Sequence, residues 1–209
     1  MASVILGIDP GTVIMGVAVL RLEGTQPVLL HMDAIRFNTK RSPFERLADI
    51  HAAIDDLLDR FSPDEMALEA PFFGKNIQSM LKLGRAQGVV MGAGLARGLA
   101  IHEYAPRRIK QSITGNGSSS KEKVAGMLQS IYRFTDMPRW LDATDGLAVA
   151  TCHAFLLSRP APIAACLPTG PTATKEWAEG MKKNSRSSAG KSSNAWTAFV
   201  KNNPEKLKP

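Results

Sequence analysis

The sequence predicts an α/β domain with a mixed five-stranded sheet flanked by helices, followed by a C-terminal flexible tail. Residues 3–36 contain three apolar segments joined by short links, and helical and strand patterns alternate from residue 43 onward. Beyond residue 160 the composition shifts toward Pro, Ser, Gly and Lys, and periodicity is lost. The predicted order, β-β-β-α-β-α-β-α-α-α, gives a sheet that is antiparallel at its start and parallel after the helical crossovers.

The first three strands are expected to form an antiparallel meander. Their segments are "SVILGID", "GVAVLRLEG" and "PVLLHMDAIRF". The links between them are Gly-containing and too short for a crossover helix, so consecutive strands must run in opposite directions.

The next predicted elements are an amphipathic helix and a short strand. Residues 43–61 place apolar side chains at helical spacing, namely Leu47, Ile50, Ile54, Leu57, Leu58 and Phe61. The segment "EMALEA" at 65–70 then predicts a strand that ends on Glu69. Residues 99–106 predict the last strand.

A long helix is predicted over residues 76–97, capped by Asn76 or Ser79. Its glycines recur every four residues, at Gly84, Gly88 and Gly92. Each glycine costs a helix about 1 kcal/mol relative to alanine. We therefore expect a neighbouring element, such as a partner subunit, to approach this stripe closely. Further helices are predicted from Pro106, over 119–133 and over 142–157.

Composition excludes several classes of protein. The chain has 209 residues and is 44% apolar, which suffices for one ordinary domain and a tail. The sequence contains no apolar run of about 18 residues, so no membrane span is expected. The N-terminus lacks the basic region of a signal peptide. The two cysteines, Cys152 and Cys166, lie in unrelated contexts, which favours a reducing cytoplasm over a disulfide or zinc framework.

The basic charge is concentrated in the tail. Of the net charge of +7, residues 160–209 contribute +5, from eight Lys or Arg and three Glu. Such a balance suits a polyanionic partner, although a solvated basic tail that serves only solubility would look the same. We divide the chain into a domain over 1–159 and a basic, disordered tail over 160–209.

Four acidic residues stand apart from the surface acids. Asp9 and Glu69 end apolar strands, and Asp142 and Asp145 share one face at the start of the last helix. No Lys or Arg lies between Asp142 and Ser158. Asp142 and Asp145 therefore have no basic partner on their own helix.

Two interpretations of these acids remain open. Asp142 and Asp145 could be an N-cap and a first-turn acid, and Asp9 could belong to the turn "DPGT". Alternatively, clustered carboxylates can hold Mg²⁺, which prefers oxygen ligands. Two such ions about 4 Å apart can promote phosphodiester hydrolysis.

The chain resembles the RuvC family of bacterial Holliday junction resolvases, within the RNase H-like nuclease superfamily. The matching segments are "ILGIDPGT", "ALEAPFFGKNIQSMLKLGRAQGVV", "HEYAPRRIKQSITGNGSSSKEKV" and "DATDGLAVATCHA". They span residues 3 to about 157 in order. The tail has no counterpart in the shorter chains usual for this family.

The resemblance implies a magnesium-dependent endonuclease with an RNase H-like fold, acting as a homodimer on four-way DNA junctions by two symmetric nicks. The family's acidic ligands would fall on Asp9, Glu69, Asp142 and Asp145. Two Mg²⁺ per site are expected, with Mn²⁺ as a substitute. A branch-migration helicase complex is a candidate partner in recombination and repair.

The same resemblance places DNA contacts at Phe72, Lys110 and Lys121. Physically, Lys110 lies in a basic cluster with Arg107 and Arg108, which suits phosphates but also a solvated helix face. The remaining candidate, Lys75, lies in the loop of Phe72.

His153, by contrast, is expected to be structural, since imidazole does not suit Mg²⁺.

Other functions remain as alternatives. The segment "GIDPGT" also resembles the phosphate loop of actin-like ATPases and sugar kinases, but those proteins need a second such motif, which this chain lacks. A junction-binding protein without catalysis would not need all four acids. A nuclease of RNA–DNA hybrids is the nearest alternative among enzymes.

Overall fold

The computed structural model describes residues 3–71, 76–134 and 141–158. Its elements follow the predicted order: β1 Ser3–Asp9, β2 Ile14–Glu23, β3 Gln26–Arg36, α1 Pro43–Phe61, β4 Glu65–Glu69, α2 Ile77–Ala96, β5 Ala100–Tyr104, α3 Pro106–Thr114, α4 Lys121–Tyr132 and α5 Asp142–Leu157. The predicted boundaries of these elements shift by one or two residues at most ends. The division at residues 159 and 160 lies outside the described residues.

The sheet is mixed and five-stranded, as predicted. Its strand order is β3-β2-β1-β4-β5. The β1–β2 and β2–β3 pairs are antiparallel, and the β1–β4 and β4–β5 pairs are parallel. Parallel pairing places the carboxyl ends of β1, β4 and β5 at one edge.

Helices cover both faces of the sheet and form two apolar cores. Side chains of α1 and α2 pack with Leu6, Ile8 and Met66 on one face. Side chains of α3, α4 and α5 pack with Ile5, Ala67 and other sheet residues on the opposite face. The alternation of Ile5 and Leu6 between the cores follows from the two-residue period of a strand.

Local signals explain where the helices begin. Ser42 and Glu45 form a reciprocal capping box at the start of α1. Asn76, rather than Ser79, caps α2, since its side chain accepts a hydrogen bond from the Ser79 backbone N–H. Ser120 caps α4 by accepting from the Lys123 backbone N–H. No described helix combines the length and hydropathy needed to cross a membrane.

The glycine stripe of α2 has no neighbour within the described part of this chain. A methyl group built on Gly84, Gly88 or Gly92 would meet no heavy atom within 4 Å. The expected close approach is therefore not made by another element of the described chain. An approach by a partner subunit stays a prediction.

Candidate active site

The carboxyl ends of β1 and β4 bring the first two predicted acids to one edge of the sheet. These strands are parallel neighbours, and Ile8 of β1 pairs with Leu68 of β4. Asp9 and Glu69 are the next residues along the two strands, where β1 and β4 end. Both therefore occupy adjacent strand ends.

The first turn of α5 brings the other two acids to the same place. Gly16 of β2 pairs with Asp9, and a methyl group added at Gly16 would lie 1.8 Å from the Asp142 carbonyl oxygen. One added at Gly146 would lie 2.5 Å from the Gly16 carbonyl carbon. Only glycine at both positions permits this backbone contact, so it fixes Asp142 and Asp145 beside Asp9.

The helix-capping interpretation of Asp142 is wrong in part. The N-cap position of α5 belongs to Leu141, and no side chain caps this end. Asp142 and Asp145 are both first-turn acids, which the helix dipole favours. That placement does not compete with a metal-binding role.

The four acids lie close enough for their charges to interact. The pKa of Asp9 is raised to about 7, mainly by burial and then by the charges of Glu69 and Asp145, with a smaller contribution from Asp142. Burial is also the main reason that the pKa values of Glu69 and Asp145 are raised. Carboxylates that retain protons this strongly form a site that an added cation would stabilise.

Two of the predicted DNA-contacting lysines, Lys110 and Lys121, line a cleft together with Glu69 and Asp145. Lys121 donates to Asp145 across 2.6 Å between Nζ and Oδ2. Burial lowers the pKa of Lys121, but the bond to Asp145 and that residue's charge outweigh burial and raise it overall. Lys110 lines the cleft with Glu69, Lys121 and Asp145. Its positive charge offsets part of the upward shift in the pKa values of Glu69 and Asp145.

Of the remaining predicted DNA contacts, the structure describes Arg107 and Arg108 but not Phe72 and Lys75. Arg107 is exposed, whereas the half-buried Arg108 guanidinium lies 5.7 Å from the centre of the Tyr104 ring. Of the three basic residues, Lys110 thus lines the cleft, Arg108 lies against the Tyr104 ring and Arg107 is exposed. Phe72 and Lys75 lie outside the described residues.

The donor set of the cleft fits a hard divalent cation. All four candidate ligands offer carboxylate oxygens, and Lys121 is the basic group that contacts one of them in the described chain. No three of these described acids have carboxylate oxygens that all lie within 4.8 Å of one another. Among the described residues, the group of ligand atoms that meets this distance is Glu65, His102 and His153.

Sequence analysis missed a buried residue that supports the site. Gln87 of α2 is 3% exposed and donates through Nε2 to Glu103 Oε1 at 2.7 Å and to the Glu69 carbonyl oxygen at 3.4 Å. It therefore ties α2 to the ends of β4 and β5. A polar residue within the apolar run "AQGVV" was the available signal.

Comparisons with known proteins identify the family of this chain. The family model "Crossover junction endodeoxyribonuclease RuvC" matches residues 5–153. A protein of that name from Porphyromonas gingivalis is 52% identical over 183 residues, which cover 87% of this chain and 94% of its own. One from Christiangramia forsetii is 43% identical over 205 residues, covering 98% of this chain and 93% of its own.

Both alignments are long enough to extend beyond residue 160, so these two relatives align with part of the tail. The expectation about the shorter chains of the family stays a prediction. Among solved structures, "T. thermophilus RuvC in complex with Holliday junction substrate" is 34% identical to this chain. Its TM-score is 0.70, and the match covers 75% of this chain and 95% of that one.

Proposed function

Because the chain belongs to the RuvC family of crossover junction endodeoxyribonucleases, we propose that it resolves four-way DNA junctions by paired symmetric nicks during recombination and repair. The observation that carries this proposal is a cleft lined by Glu69, Asp145, Lys110 and Lys121, beside the strand end that carries Asp9 and the first turn of α5 that carries Asp142. Carboxylates suit cations, lysines suit phosphates, and a phosphodiester with its metal ions requires both. A cytoplasmic location is part of the proposal.

Members of this family depend on a divalent metal. In this chain Asp9, Glu69, Asp142 and Asp145 would hold two Mg²⁺ ions, for which Mn²⁺ would substitute. When bound, such ions promote attack by water and stabilise the charge on the leaving 3′-oxygen. The raised pKa values of Asp9, Glu69 and Asp145 support this role, since a cation removes the repulsion that causes part of each shift.

The chain's own cations position the substrate. Lys121 and Lys110 line the cleft beside the acids, so they can bind the phosphates that flank the scissile bond. The Lys121 ammonium also limits the negative charge that an approaching phosphate meets at Asp145. Phe72, Lys75, Arg107 and Arg108 are proposed as further contacts, with Phe72 stacking on an unpaired base at the junction centre.

Paired nicks require two sites, which a homodimer would provide. The open stripe of Gly84, Gly88 and Gly92 on α2 supports a contact between two copies, because it lets two backbones approach. A branch-migration helicase complex is a proposed additional partner. No described residue identifies its surface.

A panel of substrates tests the proposed activity. The full chain is incubated with a synthetic four-way DNA junction, a matched linear duplex and an RNA–DNA hybrid, each with Mg²⁺ and with chelator. We expect symmetric, ligatable nicks in the junction alone, and only with Mg²⁺. Preferential cleavage of the hybrid would overturn the proposal in favour of an RNase H-type activity, and binding without cleavage would indicate a junction-binding protein.

A further inference from the structure

A second group of ligating side chains lies under α5, away from the four acids. Glu65 begins β4, His102 lies on β5 and His153 lies on α5. Glu65 Oε2 is 2.9 Å from His153 Nε2 and 3.0 Å from His102 Nε2. The three ligand atoms lie within 4.8 Å of one another.

Strand register explains how these residues meet. His102 pairs with Ala67, and Glu65 precedes Ala67 by two residues. Residues two apart on a strand share a face, and paired residues on neighbouring strands do so too. Ala67 packs in the core formed with α5, so Glu65 and His102 both face that helix. The small Ala67 side chain leaves room for them beside His153.

The cluster is separate from the proposed magnesium site. Glu65 lies four residues before Glu69, or about 13 Å along an extended strand. His153 lies eight residues after Asp145, or about 12 Å along a helix. The two groups therefore occupy opposite ends of β4, and one ion cannot bind to both.

The surroundings orient the His153 imidazole as it would be in a metal site. Tyr104 Oη is 2.6 Å from His153 Nδ1, and this contact fixes the ring with Nε2 toward Glu65. A hydrogen-bonded partner on the second ring nitrogen is typical of metal-bound histidines. His102 Nε2 is buried and, although 3.0 Å from Glu65 Oε2, is not aligned for a hydrogen bond to any described group.

We propose that Glu65, His102 and His153 bind one divalent transition metal ion of the zinc class, which ties β4, β5 and α5 together. Two imidazole nitrogens and one carboxylate oxygen form a donor set that Zn²⁺ accepts and that Mg²⁺ disfavours. Tetrahedral zinc bonds separate ligand atoms by about 3.3 Å. The two separations between Glu65 and the imidazole nitrogens thus need to widen by only a few tenths of an ångström.

Solvent can supply the fourth ligand. The side chains of His102 and Glu65 are 34% and 24% exposed, while His153 is 2% exposed. The ion would therefore enter from the side of His102 and keep a water molecule there. His153 would keep its expected structural role and would also be a ligand of the metal ion.

The test measures metal binding by the full-length, tag-free chain. The protein is stripped with chelator and titrated with Co²⁺ in excess Mg²⁺, and Zn²⁺ content is measured after gel filtration. We expect one ion per chain and the visible absorption of tetrahedral Co²⁺. His102→Ala and Glu65→Gln should weaken binding by about 100-fold or more, and Tyr104→Phe by about 10-fold.

Two controls separate this site from other sources of binding. His51 is exposed on α1 and forms an ion pair with Asp55, away from this cluster, so His51→Ala should bind Co²⁺ normally. Asp9→Asn should also bind normally, since it alters only the proposed magnesium site. Absence of Co²⁺ binding, binding unchanged in His102→Ala, or loss in Asp9→Asn would each overturn the proposal. Thermal unfolding of each variant in chelator shows whether it is folded.

Discussion

At Asp9, stability and the proposed activity oppose each other. Burial and the neighbouring carboxylates raise the pKa of this residue from 3.8 to about 7. An acid whose pKa is higher in the folded than in the unfolded protein destabilises the fold at any pH where the acid is ionised in both the folded and the unfolded protein. The penalty is absent below about pH 4, grows as the pH rises toward 7 and is complete above it.

Removing this charge should stabilise the metal-free protein. We expect Asp9→Asn to raise the free energy of unfolding by about 2–4 kcal/mol at pH 8 in chelator. The gain should shrink steadily between pH 7 and pH 4. Urea unfolding at several pH values measures it, with Asp56→Asn on the exposed face of α1 as the matched control. A gain independent of pH would contradict the assigned pKa.

Lys121 is the second residue whose role can be tested alone. Its ammonium contacts Asp145 and faces the cleft. Lys121→Ala should lower the rate of junction cleavage at saturating Mg²⁺ by about 10-fold or more, with a smaller loss of binding. Lys123→Ala is the control, because Lys123 is exposed on the same helix. If Lys121→Ala and Lys123→Ala changed the cleavage rate equally, Lys121 would act only as a general surface charge and the specific role would be contradicted.

Among the elements, α5 depends on a contact that leaves no space for a side chain. Gly146 touches the backbone of Gly16, and this contact places the first turn of α5 beside Asp9. Gly146→Ala should lower stability by about 1–3 kcal/mol and reduce cleavage, because α5 must move away from the sheet.

Gly126→Ala provides the matched comparison for this substitution. Gly126 lies on the exposed side of α4, with no atom within 4 Å of an added methyl group. Alanine there should stabilise the helix by about 0.5–1 kcal/mol and leave cleavage unchanged. Denaturant unfolding and a cleavage assay measure both variants, and equal stability of the two would contradict the packing at Gly146.

These elements also show how far sequence alone can reach. The strands, the helices and the four acids follow from local periodicity and from carboxylates at strand ends, because one-dimensional patterns encode which face is buried. The Gly16–Gly146 contact and the Glu65, His102 and His153 cluster arise from register and helix packing between distant segments. The spacing of Gly84, Gly88 and Gly92 makes them conspicuous in the sequence, whereas the glycines that pack most closely follow no repeat.

For the whole molecule, the open face of α2 leads to a test of assembly. Gly88→Leu should preserve the fold, since a Cβ added there meets no described atom within 4 Å beyond the backbone of its own helix, but should disrupt a dimer built on this stripe. Sedimentation analysis of the purified variant measures the oligomeric state, and Gly126→Leu is a control on another exposed helix surface. A dimer unchanged by Gly88→Leu would exclude this face as the interface.

The basic tail belongs to the same scale. Its net charge of +5 should strengthen nonspecific contact with DNA phosphates. Removing residues 160–209 should therefore flatten the dependence of junction affinity on salt concentration. An unchanged slope in a binding titration from low to high salt would show that the tail's charge does not contact DNA.

The most direct test of the central claim compares junction binding and cleavage in Asp9→Asn. The proposed metal role of Asp9 predicts that Mg²⁺-dependent nicking is abolished, while binding survives or tightens because a negative charge near phosphate is removed. Asp56→Asn should cleave normally. Full nicking activity in Asp9→Asn would contradict the assignment of the four acids as the metal-binding catalytic site.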